Sequence, residues 1–112
     1  MINVEVEYYT KKNGNNVYTK VEVVGHANDG TLKSIKCCAC VTSILLGFIH
    51  IVDEQMSYTK IDKGYFIYRL YDNKRVCSID NNSMHCVISQ LFIVYQTYPE
   101  LFKDFHIVRK ER

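Results

Sequence analysis

Apolar and polar residues alternate over 2–9, with Ile2, Val4, Val6 and Tyr8 on one side and Asn3, Glu5 and Glu7 on the other. That period predicts a strand with one buried and one wet face. Lys11-Lys12-Asn13-Gly14-Asn15-Asn16 follows, and Asn-Gly between two alternating runs predicts a hairpin, since both residues tolerate positive φ. The return strand is Val17 to Val24. Gly25-His26-Ala27-Asn28-Asp29-Gly30 ends it and opens a loop expected to run to about Lys36. From Cys38 to about Glu54 apolar residues surround the whole helix, which predicts a central helix packed on the sheet. Two short strands, Met56–Ile61 and Tyr65–Tyr71, flank an Asp62-Lys63-Gly64 turn. A polar loop with Asp72, Asn73, Lys74 and Arg75 leads to Asp80-Asn81-Asn82-Ser83, a cluster of N-capping residues. A second helix then places Met84, Val87, Ile88, Leu91, Phe92 and Tyr95 at helical spacing and stops before Pro99. Phe105 to Arg109 alternates again as a last strand.

The order is therefore β-β-α-β-β-α-β. It predicts an α/β (α+β) two-layer sandwich, one mixed sheet with two helices on one face. No repeat, low-complexity stretch or linker interrupts the chain, and 112 residues predict one domain over 1–112.

Composition narrows the classes. An apolar fraction of 47%, with nine Tyr and five Phe, is that of a globular protein rather than a disordered one. A net charge of +2, carried by scattered basic residues, gives no concentrated face for nucleic acid, so direct nucleic-acid binding is not expected. The opening Met1-Ile2-Asn3-Val4-Glu5 lacks the basic segment and apolar run of a secretory signal. The longest uncharged stretch, Cys37 to Val52, falls short of the about 20 apolar residues of a spanning helix, so no membrane partner is expected. The cysteines number five, and Cys37, Cys38 and Cys40 stand too close together to pair readily. Free thiols and a cytoplasmic setting follow.

The chemistry to weigh lies where the second strand meets the first helix. A strand ending in a loop that feeds a helix puts His26 and Cys38 on one edge of the sheet. A helix start stabilises a thiolate, and a nearby imidazole completes the ion pair and later protonates a leaving amine. Free N–H groups of Cys38 and Ala39 would then hold an oxyanion, with Lys36 adding positive potential. The plainer readings stay open: a free cysteine is most often a small buried hydrophobe, and a histidine at a strand end is usually structural. Zinc is disfavoured, because Cys38-Ala39-Cys40 is too tight a spacing and no second cysteine pair accompanies it. His50, His85 and His106 stand isolated.

The segment GHANDGTLKSIKCCACVTSIL, Gly25 to Leu45, resembles the signature of the ribosomal-processing cysteine protease family, Prp. That signature is a Gly-His-Ala, a loop of variable length, then Cys-Ala-x-Val-Ser opening a helix. Gly25-His26-Ala27 matches the first part and Cys38-Ala39-Cys40-Val41-Thr42 the second, with Thr42 in place of Ser. Only with Cys38 as nucleophile do Ala39 and Val41 fall in register; with Cys37 they do not. The resemblance implies that His26 and Cys38 are catalytic, with Gly25, Ala27, Gly30 and Ala39 as substrate-binding positions beside them. It further implies a homodimer that removes the N-terminal extension of a large-subunit ribosomal protein, without a cofactor. The competing readings are a non-catalytic ribosome- or RNA-associated protein of the same fold and, more weakly, a thiol redox protein. The loop from Ala27 to Lys36 is expected to lie over the site and to order on substrate.

Overall fold

Val4 and Val6 are fully buried while Glu5 and Glu7 face away from the core, so the alternation read from the sequence is realised in β1 (Ile2–Thr10). β1 pairs antiparallel with β2 (Asn16–Val24), Val4 opposite Val23 and Val6 opposite Val21. Gly14, at φ 89°, makes the turn between them, a conformation open to glycine at little steric cost. β2 pairs with β4 (Tyr65–Leu70), β4 with β3 (Ser57–Asp62), and β5 (Phe102–Arg109) runs parallel to β1. The sheet order is β3-β4-β2-β1-β5, a mixed sheet as expected. The computed structural model describes residues 1–27, 29–71 and 78–111. Asn28, the predicted polar loop Asp72–Arg75, Cys77 and Arg112 lie outside the described residues.

Both helices, α1 (Leu32–Ile49) and α2 (Ser78–Thr97), cover the same face of the sheet. Phe48 of α1 meets Tyr68 of β4 edge-on at 5.5 Å, and Tyr95 of α2 meets Phe105 of β5 at 5.4 Å. Tyr68 lies opposite Val21, Val21 opposite Val6, and Phe105 opposite Val4, so all point to one side. The far side carries Glu5, Glu7 and Lys20, with Lys20 Nζ 3.5 Å from Glu5 and 3.4 Å from Glu7. Such half-exposed pairs keep the face wet and add little stability.

Several boundaries differ from expectation, and those of α1 do so for local reasons. α1 begins at Leu32, not near Cys38, because Thr31 caps it: the Thr31 hydroxyl accepts the Ser34 N–H at 3.1 Å. Asp29 in turn accepts the Thr31 N–H at 3.0 Å and so holds the cap. The expected loop to Lys36 is thus shortened, and Leu32 to Lys36 form helix. α1 also ends at Ile49 rather than Glu54; the following turn is pinned where the Asp53 N–H donates to Asp80 at 3.0 Å. Asp80, expected as a capping residue, is instead buried in the first turn of α2 and spends its carboxylate on that amide. Within α2, Met84, Val87, Ile88 and Leu91 are buried as expected, whereas Phe92 is 42% exposed and Val94 takes a core place. β5 starts at Phe102, after a 3-10 turn (Pro99–Leu101) with Pro99 at its first position.

By length and composition α1 could cross a membrane. Here Ser34, Cys37, Val41, Leu45 and Phe48 form a single stripe that packs against the sheet and α2.

Thr31→Ala removes the cap and should lower stability by about 1 kcal/mol in urea unfolding. In the wild type, the amides of Ile35 to Cys38 should exchange slowly with deuterium, as a helix requires and a loop does not.

Candidate active site

The site begins where β2 ends. Gly25 takes φ 104°, and its α-carbon lies so close to the backbone of Met1 that a side chain there would overlap the Met1 carbonyl oxygen. Its N–H donates to the Gly64 carbonyl at 2.9 Å, tying β2 to the β3–β4 turn. His26 follows, exposed, with its ring lying against Gly64.

The other wall is α1. Residues 37, 38 and 40 stand about 100° apart per step around a helix of 3.6 residues per turn, so the crowded cysteines separate in space. Cys37 is completely buried in the core, Cys40 is exposed, and Cys38 is half-buried. Cys38, Val41, Thr42, Leu45 and Leu46, one stripe of the helix, line a cleft of about 500 Å3. Ile2, Val23 and Phe66 complete its apolar floor, and His26, Asp62, Lys63 and Gly64 stand on the opposite side. His26 and Cys38 thus line one and the same cleft. Burial, reinforced by the adjacent Cys38 and Cys40, pushes the Cys37 thiol up to about 11. Cys37 is a core residue with an inert thiol.

One expectation fails. Cys38 does not open the helix: it lies six residues beyond Leu32, about 9 Å along the axis at 1.5 Å per residue. The macrodipole falls off within the first turn, so it does not act on this thiol. The N–H groups of Cys38 and Ala39 lie inside the helix and are spent on its ladder, so they are not free oxyanion donors.

Of the remaining residues singled out by sequence, Gly25 lines the cleft. Ala27 is 2% exposed and packs in the core. Gly30, at φ 79°, has open space around it, and Ala39 is exposed on α1 away from the cleft lining. The sequence reading missed Ile2, Asp62, Lys63 and Gly64. The last three were legible only as a turn; nothing local says that this turn comes back against His26. Among the described residues, no group of three or more His, Cys, Asp or Glu side chains is placed to hold a metal ion.

No family model matches the sequence, and no curated protein matches it. The architecture does match solved structures. The S. aureus ribosomal processing protease Prp, in complex with a substrate peptide, is 20% identical and superimposes with a TM-score of 0.70 over 95% of this chain and 99% of that one. The fold is that of Prp. A second Prp structure from S. aureus, with a covalently linked product peptide, gives 0.66 at 20% identity over 92% of this chain and 98% of that one. SMU.848 from Streptococcus mutans is also similar to this chain, at 15% identity, with a TM-score of 0.69 over 96% of this chain and 95% of that one.

Cys37 should resist iodoacetamide in the folded protein, while Cys38, Cys40 and Cys86 react; peptide mapping of the alkylated chain reads this directly. Folding raises the Cys37 pKa from 9.0 to about 11, so the folded state holds that proton more tightly. Its contribution to stability is therefore complete below pH 9.0 and is lost as pH climbs toward about 11. Urea midpoints should fall across that window in the wild type and less steeply in Cys37→Ala.

Proposed function

We propose that this chain is a cysteine endopeptidase that removes the N-terminal extension of a large-subunit ribosomal protein during ribosome maturation. The observation that carries the reading is the cleft itself. In a fold matched to Prp over nearly its whole length, the His and Cys of the matching motif face one apolar groove. A peptide carbonyl seated there meets both side chains. His26 takes the proton from Cys38, and the thiolate Sγ adds to the carbonyl carbon. The imidazolium then gives its proton to the leaving amine as the C–N bond breaks, leaving a thioester on Cys38. Water, losing a proton to His26, adds to the thioester carbon; the C–S bond breaks and the thiol is restored. No cofactor takes part.

The covalently linked product described for the S. aureus Prp structure supports a nucleophilic route, because such a route passes through a bond between enzyme and product. The substrate peptide in the other complex supports a peptide as the ligand of this groove. In this reading the enzyme works in the cytoplasm as a homodimer on a precursor ribosomal protein. The non-catalytic, RNA-associated alternative has less behind it, since the open sheet face mixes Glu5 and Glu7 with Lys20 and Lys110 rather than presenting one sign.

Incubation with the organism's own precursor protein, followed by mass spectrometry, tests this. The wild type should release one N-terminal peptide. Cys38→Ala should give no detectable cleavage with an unchanged circular dichroism spectrum, while Cys40→Ala keeps most activity. An active Cys38→Ala variant would remove Cys38 from the chemistry.

A further inference from the structure

Glycines with positive φ occupy several turns, and they are not equivalent. At Gly14 (φ 89°) and Gly30 (φ 79°) a Cβ would meet nothing within 4 Å, so glycine is needed there for conformation alone. At Gly64 (φ 71°) the space is taken by His26: a Cβ would overlap the ring at Nε2 and stand 2.7 Å from Cε1 and 2.9 Å from Cδ2. Real side chains do not approach so closely, so any residue with a Cβ at 64 must displace the ring or the turn.

The backbone leading to that ring is fixed independently. The Gly64 carbonyl accepts the Gly25 N–H at 2.9 Å, and Gly25 is itself pressed against Met1. The same turn therefore holds the main chain before His26 and leaves room for the imidazole after it. We propose that Gly64 is the positioning residue for His26, its missing side chain forming the seat that keeps the imidazole beside the Cys38 cleft. This rests on the Cys38–His26 reading above. Gly64 does no chemistry; it acts through the ring. A displacement near 1 Å at a reacting group can cost about a hundredfold in rate.

The test compares Gly64→Ala, His26→Ala, the double variant and Gly14→Ala, which carries similar backbone strain in open space far from the cleft. Two readouts are taken: the rate and pH profile of Cys38 alkylation, and the urea midpoint. In Gly64→Ala the alkylation rate at pH 7 should fall by about the same factor as in His26→Ala, and the double variant should be no slower than either. Peptide cleavage should show kcat lowered by about a hundredfold with KM nearly unchanged. On stability, the exposed ring can turn aside, so Gly64→Ala should cost little more than Gly14→Ala, and any excess should vanish when His26 is also alanine, because the ring it strikes is gone. That recovery applies even where Gly64→Ala alone folds poorly.

A Gly64→Ala protein with wild-type alkylation and pH profile, or an excess cost that persists without the His26 ring, would overturn the inference. A wild-type rate in His26→Ala would instead overturn the Cys–His reading, and the role of Gly64 with it. Slowing in His26→Ala but not in Gly64→Ala removes Gly64 alone.

Discussion

The hydrogen bond from the Gly25 N–H to the Gly64 carbonyl, 2.9 Å long, is the constraint on which the cleft depends. It joins the end of β2 to the β3–β4 turn at the point where β2 stops being a strand. With Gly25 also pressed on Met1, three separate parts of the chain meet within one residue's reach. Only a residue without a Cβ permits this approach, and only a positive φ directs the chain away from the sheet afterwards. His26 leaves the sheet at this point, toward the groove that α1 closes from the other side. A single backbone contact is worth on the order of 1 kcal/mol, so its importance is geometric rather than energetic.

Most of the architecture was legible because a one-sided sheet writes its faces into alternate residues. Val4 and Val6, Val21 and Val23 went inward as their period required, and Asn13-Gly14 turned where its chemistry allowed. The start of α1 was not legible by the same means. Ile35, exposed, and Cys37, buried, both look apolar, so the pattern blurred into the loop. The deciding signal was the cap at Thr31, supported by Asp29, and its weight comes from two hydrogen bonds rather than from hydropathy. Asp80 departs from the capping pattern for a related reason: its partner, the Asp53 amide, lies in the distant turn after α1. A residue that caps a distant amide is indistinguishable in sequence from one that caps its own helix.

The site shows the same division. His26 and Cys38 were legible as a motif, and the structure brings both to one cleft. The wall opposite α1 was not, since Asp62, Lys63 and Gly64 form a turn that approaches His26 only after β4 has paired with β2. The helical rotation that sends Cys37 inward and Cys38 to the cleft explains how adjacent thiols differ so widely. One is an inert piece of core; its neighbour is half-buried and lines the cleft.

The parallel pairing of β1 with β5 sets the order in which this molecule can be completed. β1 and β5 pair Ile2 with Phe102 and Tyr8 with Arg109, so their ladder is the most non-local in the sheet. Such pairings form late and slowly, after the loop entropy between them has been overcome. Ile2, a floor residue of the cleft, lies opposite Phe102 in that ladder. The hairpin, α1 and the β3–β4 pair are all made of contacts closer in sequence than the strand that flanks Ile2. The floor of the cleft at Ile2 is therefore completed by the ladder that spans the longest stretch of sequence in the sheet.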